Sequence, residues 1–269
     1  MNKRIAILYD FDFTLSKDYM QSYGLAQEFG FKDAREFFDA CDARTYDNQM
    51  DLCLSVLGGT LQLAQEQGKP LTRELLQRCG KDVEYYDGVL EWFDKINKIG
   101  KKCGFEIEHY IVSSGIKEIV EGTKIAKYFK RIYSNFYSYR DDVAFWPSQI
   151  VNFTSKTQYI YRIRKNALDD LSSLKKINQK MPASQVLDFK NILYIGDSET
   201  DIPSFKIVKN SGGFSICVYD KENEKARKLA HKCMIEGRVN CYMPADYTEG
   251  SDLFNLIKDY IENIAKIND

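Results

Sequence analysis

Arg4-Ile5-Ala6-Ile7-Leu8-Tyr9-Asp10-Phe11-Asp12-Phe13-Thr14 is the stretch that decides the fold. Its residues from Ile5 to Tyr9 are aliphatic or aromatic without a polar break, and the run ends abruptly in acid. A strand apolar on both faces belongs in a parallel sheet covered on both sides, where ligand chemistry gathers at the C-terminal ends of the strands. Five such residues are too few for the core of a signal peptide. The run is therefore expected to be a first strand, and the protein cytoplasmic.

Three later segments repeat the pattern: His109 to Val112 before Ser113-Ser114-Gly115, Asn191 to Ile195 before Gly196-Asp197, and Phe214 to Val218 before Tyr219-Asp220. Each precedes a stretch of helical periodicity, and alternating strand and helix predicts an α/β fold with a doubly wound, mostly parallel, Rossmann-like sheet. Between Ser16 and Asp87 the pattern changes. Amphipathic stretches at Tyr19–Phe29, Ala34–Ala43, Met50–Leu57 and Thr72–Cys79, with breaks at Gly58-Gly59 and Gly68-Lys69-Pro70, predict a small helical domain inserted after the first strand. The expected division is residues 1–15 and 88–269 for the α/β core and 16–87 for the insertion. The core should resume with Asp87 as N-cap of a helix over Val89–Ile99, and Ser251–Ile267 should form the last helix. Ile132–Tyr137 and Val143–Trp146 could pair as a hairpin across Tyr139-Arg140-Asp141-Asp142.

The 269 residues suffice for one large domain carrying a smaller one. A formal charge of -1, from 38 basic and 39 acidic residues, gives no global field for nucleic acid or an anionic membrane, so neither is expected as a partner. Seven cysteines without a Cys-x-x-Cys pair, and only two histidines, argue against a zinc site or a disulfide framework and fit a reducing compartment.

Asp10 and Asp12, on alternate residues past a strand, project from the same side in extended geometry, and two like charges so placed call for a cation. Taken alone, the pair also reads as a solvated loop or a helix cap. Gly196-Asp197-Ser198-Glu199-Thr200-Asp201 sets two further acids four residues apart at a strand-to-helix junction, where ordinary capping is the competing reading. Together the acids make a hard, oxygen-rich site suited to Mg2+. Ser113-Ser114-Gly115 could hold phosphate oxygens through a hydroxyl and free amides at a helix start, or simply cap that helix. Nothing internal to the sequence singles out Lys156, although a phosphate site crowded with carboxylates needs one fixed cation.

In order along the chain, Asp10-x-Asp12-x-Thr14, Ser113, Lys156 and Gly196-Asp197-x-x-x-Asp201 resemble the four motifs of the haloacid-dehalogenase-like superfamily, in its phosphoserine-phosphatase-like branch. The resemblance implies a magnesium-dependent phosphatase with a helical cap over residues 16–87, acting on a small phosphorylated metabolite. Asp10 would be the nucleophile that becomes an aspartyl phosphate, with Asp12 the acid and then the base. Magnesium would be held by Asp10, the backbone carbonyl of Asp12 and Asp197, with Asp201 binding a metal-bound water or positioning Lys156. Ser113 and Lys156 would bind the transferring phosphoryl, assisted by Thr14, Ser114 and Gly115. The sequence departs from the pattern at Phe13, commonly a small residue, and at Tyr19, where phosphoserine phosphatases place a glutamate for the substrate amine. Tyr19, Gln21 and Arg44 are candidates for the cap side of the pocket. A phosphonate-cleaving hydrolase would need a Schiff-base lysine, of which Lys17, Lys32, Lys69 and Lys81 give no sign. A phosphotransferase on the same fold and a non-catalytic phosphometabolite-binding regulator also compete with the phosphatase. The oligomeric state is left open.

Overall fold

Along the first strand, side chains alternate between two cores: Ile5, Ile7 and Tyr9 enter one, and Ala6 and Leu8 the other. The computed structural model describes residues 3–45, 49–169 and 175–268. Its sheet has strands β1 (Lys3–Tyr9), β2 (Phe105–Ile116), β3 (Phe129–Arg140), β4 (Val143–Gln149), β5 (Ile192–Gly196), β6 (Phe214–Tyr219) and β7 (Cys241–Pro244), in the order β4-β3-β2-β1-β5-β6-β7. All neighbours pair parallel except β3 and β4. The chain leaves β1 for β2 on one side and later reaches β5 on the other, so β1 is where the winding reverses. Crevices open at such a point because the connections diverge to opposite faces.

The helices are α1 (Leu25–Glu28), α2 (Ala34–Thr45), α3 (Leu52–Glu66), α4 (Arg73–Gly80), α5 (Val89–Lys102), α6 (Lys117–Glu121), α7 (Lys156–Arg164), α8 (Lys175–Asn178), α9 (Ile202–Asn210), α10 (Glu224–Ile235) and α11 (Asp252–Asn268). One face of the sheet is covered by α5, through Trp92, Phe93 and Ile96, and by α11, through Phe254, Ile257 and Ile261. On the other lie α7, through Tyr159, Ile160 and Ile163, and α9, through Phe205 and Val208. Burial on both faces accounts for the unbroken apolar runs in β1 (Ile5 to Tyr9) and β5 (Ile192 to Ile195). No helix among the described residues is long and apolar enough to cross a membrane.

Among the described residues, four helices, α1 to α4, lie between β1 and α5, as the periodicity predicted. Several details differ. Gly58-Gly59 is no turn, for α3 runs through it; a Cβ on Gly59 would lie 2.6 Å from Cys41 Cβ, so the glycine lets α2 and α3 touch closely. Gly88, not Asp87, caps α5, at φ 83° and without a side-chain cap bond. The stretch Tyr19–Phe29 forms one 3-10 turn and the four-residue α1, broken by Gly24 at φ 124°. β7 gave no distinct signal in the sequence. The hairpin is longer than expected: β3 is a full member of the sheet and turns into β4 at Asp141 and Asp142, both at positive φ. Its far arm touches the helical insertion, where Ala144 N donates to Leu71 O (2.8 Å).

Candidate active site

Strand register sets the site. Tyr9 pairs with Ile111 on one side and with Ile195 on the other, so Asp10, Ser113 and Asp197 stand at one level, one or two residues past that row, although β2 itself runs on. Asp10 is anchored through its backbone, N–H to Ile195 O at 2.9 Å, and its Oδ1 accepts from Phe11 N (2.7 Å). Lys156, at the start of α7, donates through Nζ to Asp10 Oδ2 (2.7 Å) and to Asp201 Oδ1 (2.8 Å). The lysine side chain is 0% exposed. Burial works against its charge, yet the Asp10 and Asp201 carboxylates outweigh that and hold the ammonium well above its ordinary range.

Asp201 is the pivot of this arrangement. Its Oδ1 also accepts from Tyr194 OH (2.8 Å), and its Oδ2 accepts from the backbone N–H of Asp197 (3.2 Å) and Ser198 (3.3 Å). A Cβ on Gly196 would stand 2.5 Å from Asp201 Oδ2, which explains the glycine. Asp197 Oδ1 accepts from Thr14 Oγ1 (3.1 Å). Asp12 Oδ1 accepts from Met20 N (2.9 Å), tying the loop after β1 to the first turn of the insertion.

The Ser113 segment does not open a helix. β2 continues to Ile116, and only the short α6 follows. Ser113 Oγ accepts from Gly115 N (3.1 Å), so that amide is already engaged. Ser134 Oγ donates to the carbonyls of Ser113 (3.1 Å) and Gly115 (2.7 Å), and Asn135 Nδ2 to that of Ser114 (2.5 Å). Met20 fills the space beside Gly115, where a Cβ would fall 1.9 Å from Met20 Cε.

A pocket of about 400 Å³ opens on these strand ends. Its floor includes Asp10, Asp12, Asp197, Ser113, Ser114 and Gly115. The insertion supplies the opposite wall, with Tyr19, Gln21, Phe38, Asp42 and Val56. Of the predicted residues, Lys156, Asp201 and Thr14 lie behind the floor, fully buried, and reach the site through Asp10 and Asp197. Arg44 is not brought in: it pairs with Glu66 and donates to Ala40 O on the insertion. Sequence reasoning did not find Tyr194, Met20, Ser134 or Asn135. Tyr194 alone carried a signal, as the polar-tipped residue of an apolar strand two positions before Gly196.

Asp10, Asp197 and Asp201 each present a carboxylate oxygen within 4.8 Å of the others; the Asp12 side chain is outside that group. Burial pushes the carboxyls of Asp10, Asp12 and Asp197 above the usual carboxylate range, and neighbouring acids add to it: Asp201 for Asp10, Asp10 for Asp12, and both Asp201 and Asp10 for Asp197. Four carboxylates around one ammonium leave a deficit of positive charge, and the donors are hard oxygens. The residues therefore fit a divalent cation of the magnesium type.

No protein-family model matches the chain. A protein of Borreliella burgdorferi described as uncharacterized is 31% identical over 294 residues, spanning 97% of this chain and 99% of its own. Among solved structures, a substrate-bound phosphoserine phosphatase matches with a TM-score of 0.57 at 16% identity, over 96% of this chain and 99% of that one. Cytosolic 5'-nucleotidase IIIB bound to cytidine matches at 0.52 and 16% identity, over 98% and 87%. A HAD family hydrolase from Salmonella enterica serovar Typhi matches at 0.53 and 17% identity over 84% of this chain, which spans only 65% of that longer one. At such identities the likeness to the solved structures is one of fold.

Proposed function

This chain belongs to one family with the Borreliella burgdorferi protein and has the fold of the haloacid-dehalogenase-like hydrolases, and on that premise we propose that it is a magnesium-dependent phosphatase of small phosphomonoesters. The observation that carries the reading is the Asp10 carboxylate, aimed at a pocket while a buried lysine holds it from behind.

In this reading Asp10 attacks phosphorus in line. The bond from phosphorus to the alcohol oxygen breaks, the alcohol leaves with a proton from Asp12, and an aspartyl phosphate remains. Asp12 then takes a proton from water, which attacks the phosphoryl group, releasing inorganic phosphate and restoring the Asp10 carboxylate. The bond from Met20 N to Asp12 Oδ1 orients that side chain and leaves its other oxygen for the proton. Lys156 offsets charge on Asp10 and the phosphoryl group, and Asp201 with Tyr194 fixes its position. Asp10, Asp197 and the backbone carbonyl of Asp12 would hold magnesium, which when bound supplies positive charge to the phosphoryl oxygens. Residues 16–87 act as a cap that keeps bulk water from the transfer.

The test is turnover of p-nitrophenyl phosphate by the purified chain. Activity should need added Mg2+, vanish with a chelator, and fall by about a thousandfold or more in Asp10→Asn. Unchanged turnover in that variant would remove Asp10 as nucleophile.

A further inference from the structure

Resting on the phosphatase reading of this pocket, we propose that the substrate's alcohol carries an ammonium group and no carboxylate. Three features of the wall above the phosphate end point there. Phe13, Tyr19 and Phe38 form a corner of aromatic rings: Tyr19 stands edge-on to Phe13 (centroids 4.7 Å apart, 86°) and to Phe38 (5.1 Å, 90°). Perpendicular rings turn π faces in different directions, the arrangement that attracts a cation. Asp42, one helical turn beyond Phe38 on α2, brings a carboxylate to the same wall, with Oδ1 accepting from Ser55 Oγ (2.7 Å). Gln21, 3% exposed and also in the wall, has an Oε1 that finds no donor among the described residues, which a donor from outside such as an ammonium N–H would satisfy.

The complementary observation concerns anions. Among the described residues lining the pocket there is no lysine or arginine, and Lys156 is enclosed between Asp10 and Asp201. A carboxylate on the leaving alcohol would enter a space bounded by Asp12, Asp42 and Asp197 with no basic side chain among the described lining residues to pair it; the nearby Arg35, which acts on Tyr19, is not one of them. Like charges held that close in a partly desolvated site repel strongly, whereas an ammonium is attracted. The wall thus favours a phosphorylated amino alcohol over a phosphorylated amino acid.

Three esters of nearly one shape isolate the two charges: phosphoethanolamine, phosphoserine, which adds a carboxylate, and n-propyl phosphate, which replaces the ammonium by a methyl group. With Mg2+ present, kcat/KM for phosphoethanolamine should exceed that for each of the others by about tenfold or more. Asp42→Asn, which keeps an acceptor for Ser55, should shrink the ratio of phosphoethanolamine to n-propyl phosphate by about tenfold. The wild-type ratios decide the matter even if that variant fails to fold. Equal rates across the three, a preference for phosphoserine, or a preference for cytidine monophosphate would overturn the substrate class while hydrolysis of p-nitrophenyl phosphate keeps the phosphatase reading. No turnover of any of these esters would overturn both.

Discussion

Lys156 holds two carboxylates at once, so its position depends on how strongly each pulls. Tyr194 settles the balance by donating to the Asp201 oxygen that also accepts from the lysine. Without the hydroxyl, Asp201 Oδ1 draws Lys156 more strongly, and the ammonium shifts away from Asp10. Tyr194→Phe is expected to lower kcat about tenfold with KM nearly unchanged, at a cost of about 1 kcal/mol in stability. A kcat equal to that of the wild type would show that Tyr194 does no more than fill the core. At this scale the acids were legible in the sequence because Asp10 and Asp197 stand directly after apolar strands, with Asp12 and Asp201 two and four residues beyond them. Lys156 was legible only through the resemblance, since a chain with 38 basic residues marks no single one of them, and burial between Asp10 and Asp201 is a property of the fold.

Among the elements, glycine had two meanings that periodicity could not separate. Gly58-Gly59 read as a break, yet α3 passes through because Gly59 faces Cys41 of α2; close packing, not a turn, requires the missing side chain. Gly88 is required twice over, by φ 83° and by the backbone of Thr248, whose N would lie 2.3 Å from a Cβ. Gly88→Ala is therefore expected to destabilise the fold by about 2–4 kcal/mol, the sum of left-handed strain and a clash that backbone cannot easily relieve. Urea unfolding measures this, and a loss below about 1 kcal/mol would mean that the segment Tyr247-Thr248 moves aside. The strands of the sheet's centre were legible since burial on both faces leaves unbroken apolar runs. β7 was not: all four of its residues are only partly buried, and an edge strand needs no such run.

Across the whole molecule, a chain of buried polar groups ties α5 to the sheet beneath the site. Trp92 Nε1 donates to Tyr9 OH (2.9 Å), Tyr9 OH lies 3.0 Å from His109 Nδ1, and His109 Nε2 lies 3.1 Å from Asn97 Oδ1. Burial pushes His109 down to about 3, so it stays neutral in the folded protein while the unfolded chain takes up a proton near pH 6.5. The folded pKa lies below the unfolded one; the stability contributed is complete above that pH and is lost as pH falls towards 3. Between pH 7 and 5 the wild type should lose about 2 kcal/mol more than His109→Gln in urea unfolding, and equal losses would show that His109 is protonated in place. Global association also explains the helical insertion. Its Met20, Leu25, Phe37 and Leu57 join the same apolar cluster as Ile7 and Tyr9 of β1, although their helical periodicity alone did not say which face would meet the site. The sequence by itself determined the alternation of strand and helix around β1, β2, β5 and β6, the helical character of the stretch after β1 and the acids past the ends of β1 and β5, because alternation, burial and abrupt polarity are local properties of a chain. Only the tertiary structure decided that Lys156 is enclosed between two acids, that Tyr194 serves Asp201, that Arg44 stays outside the pocket, and that aromatic rings and Asp42 line the same pocket as Asp10. Each of these depends on which faces of distant segments meet, and that is fixed by packing the two cores against one sheet.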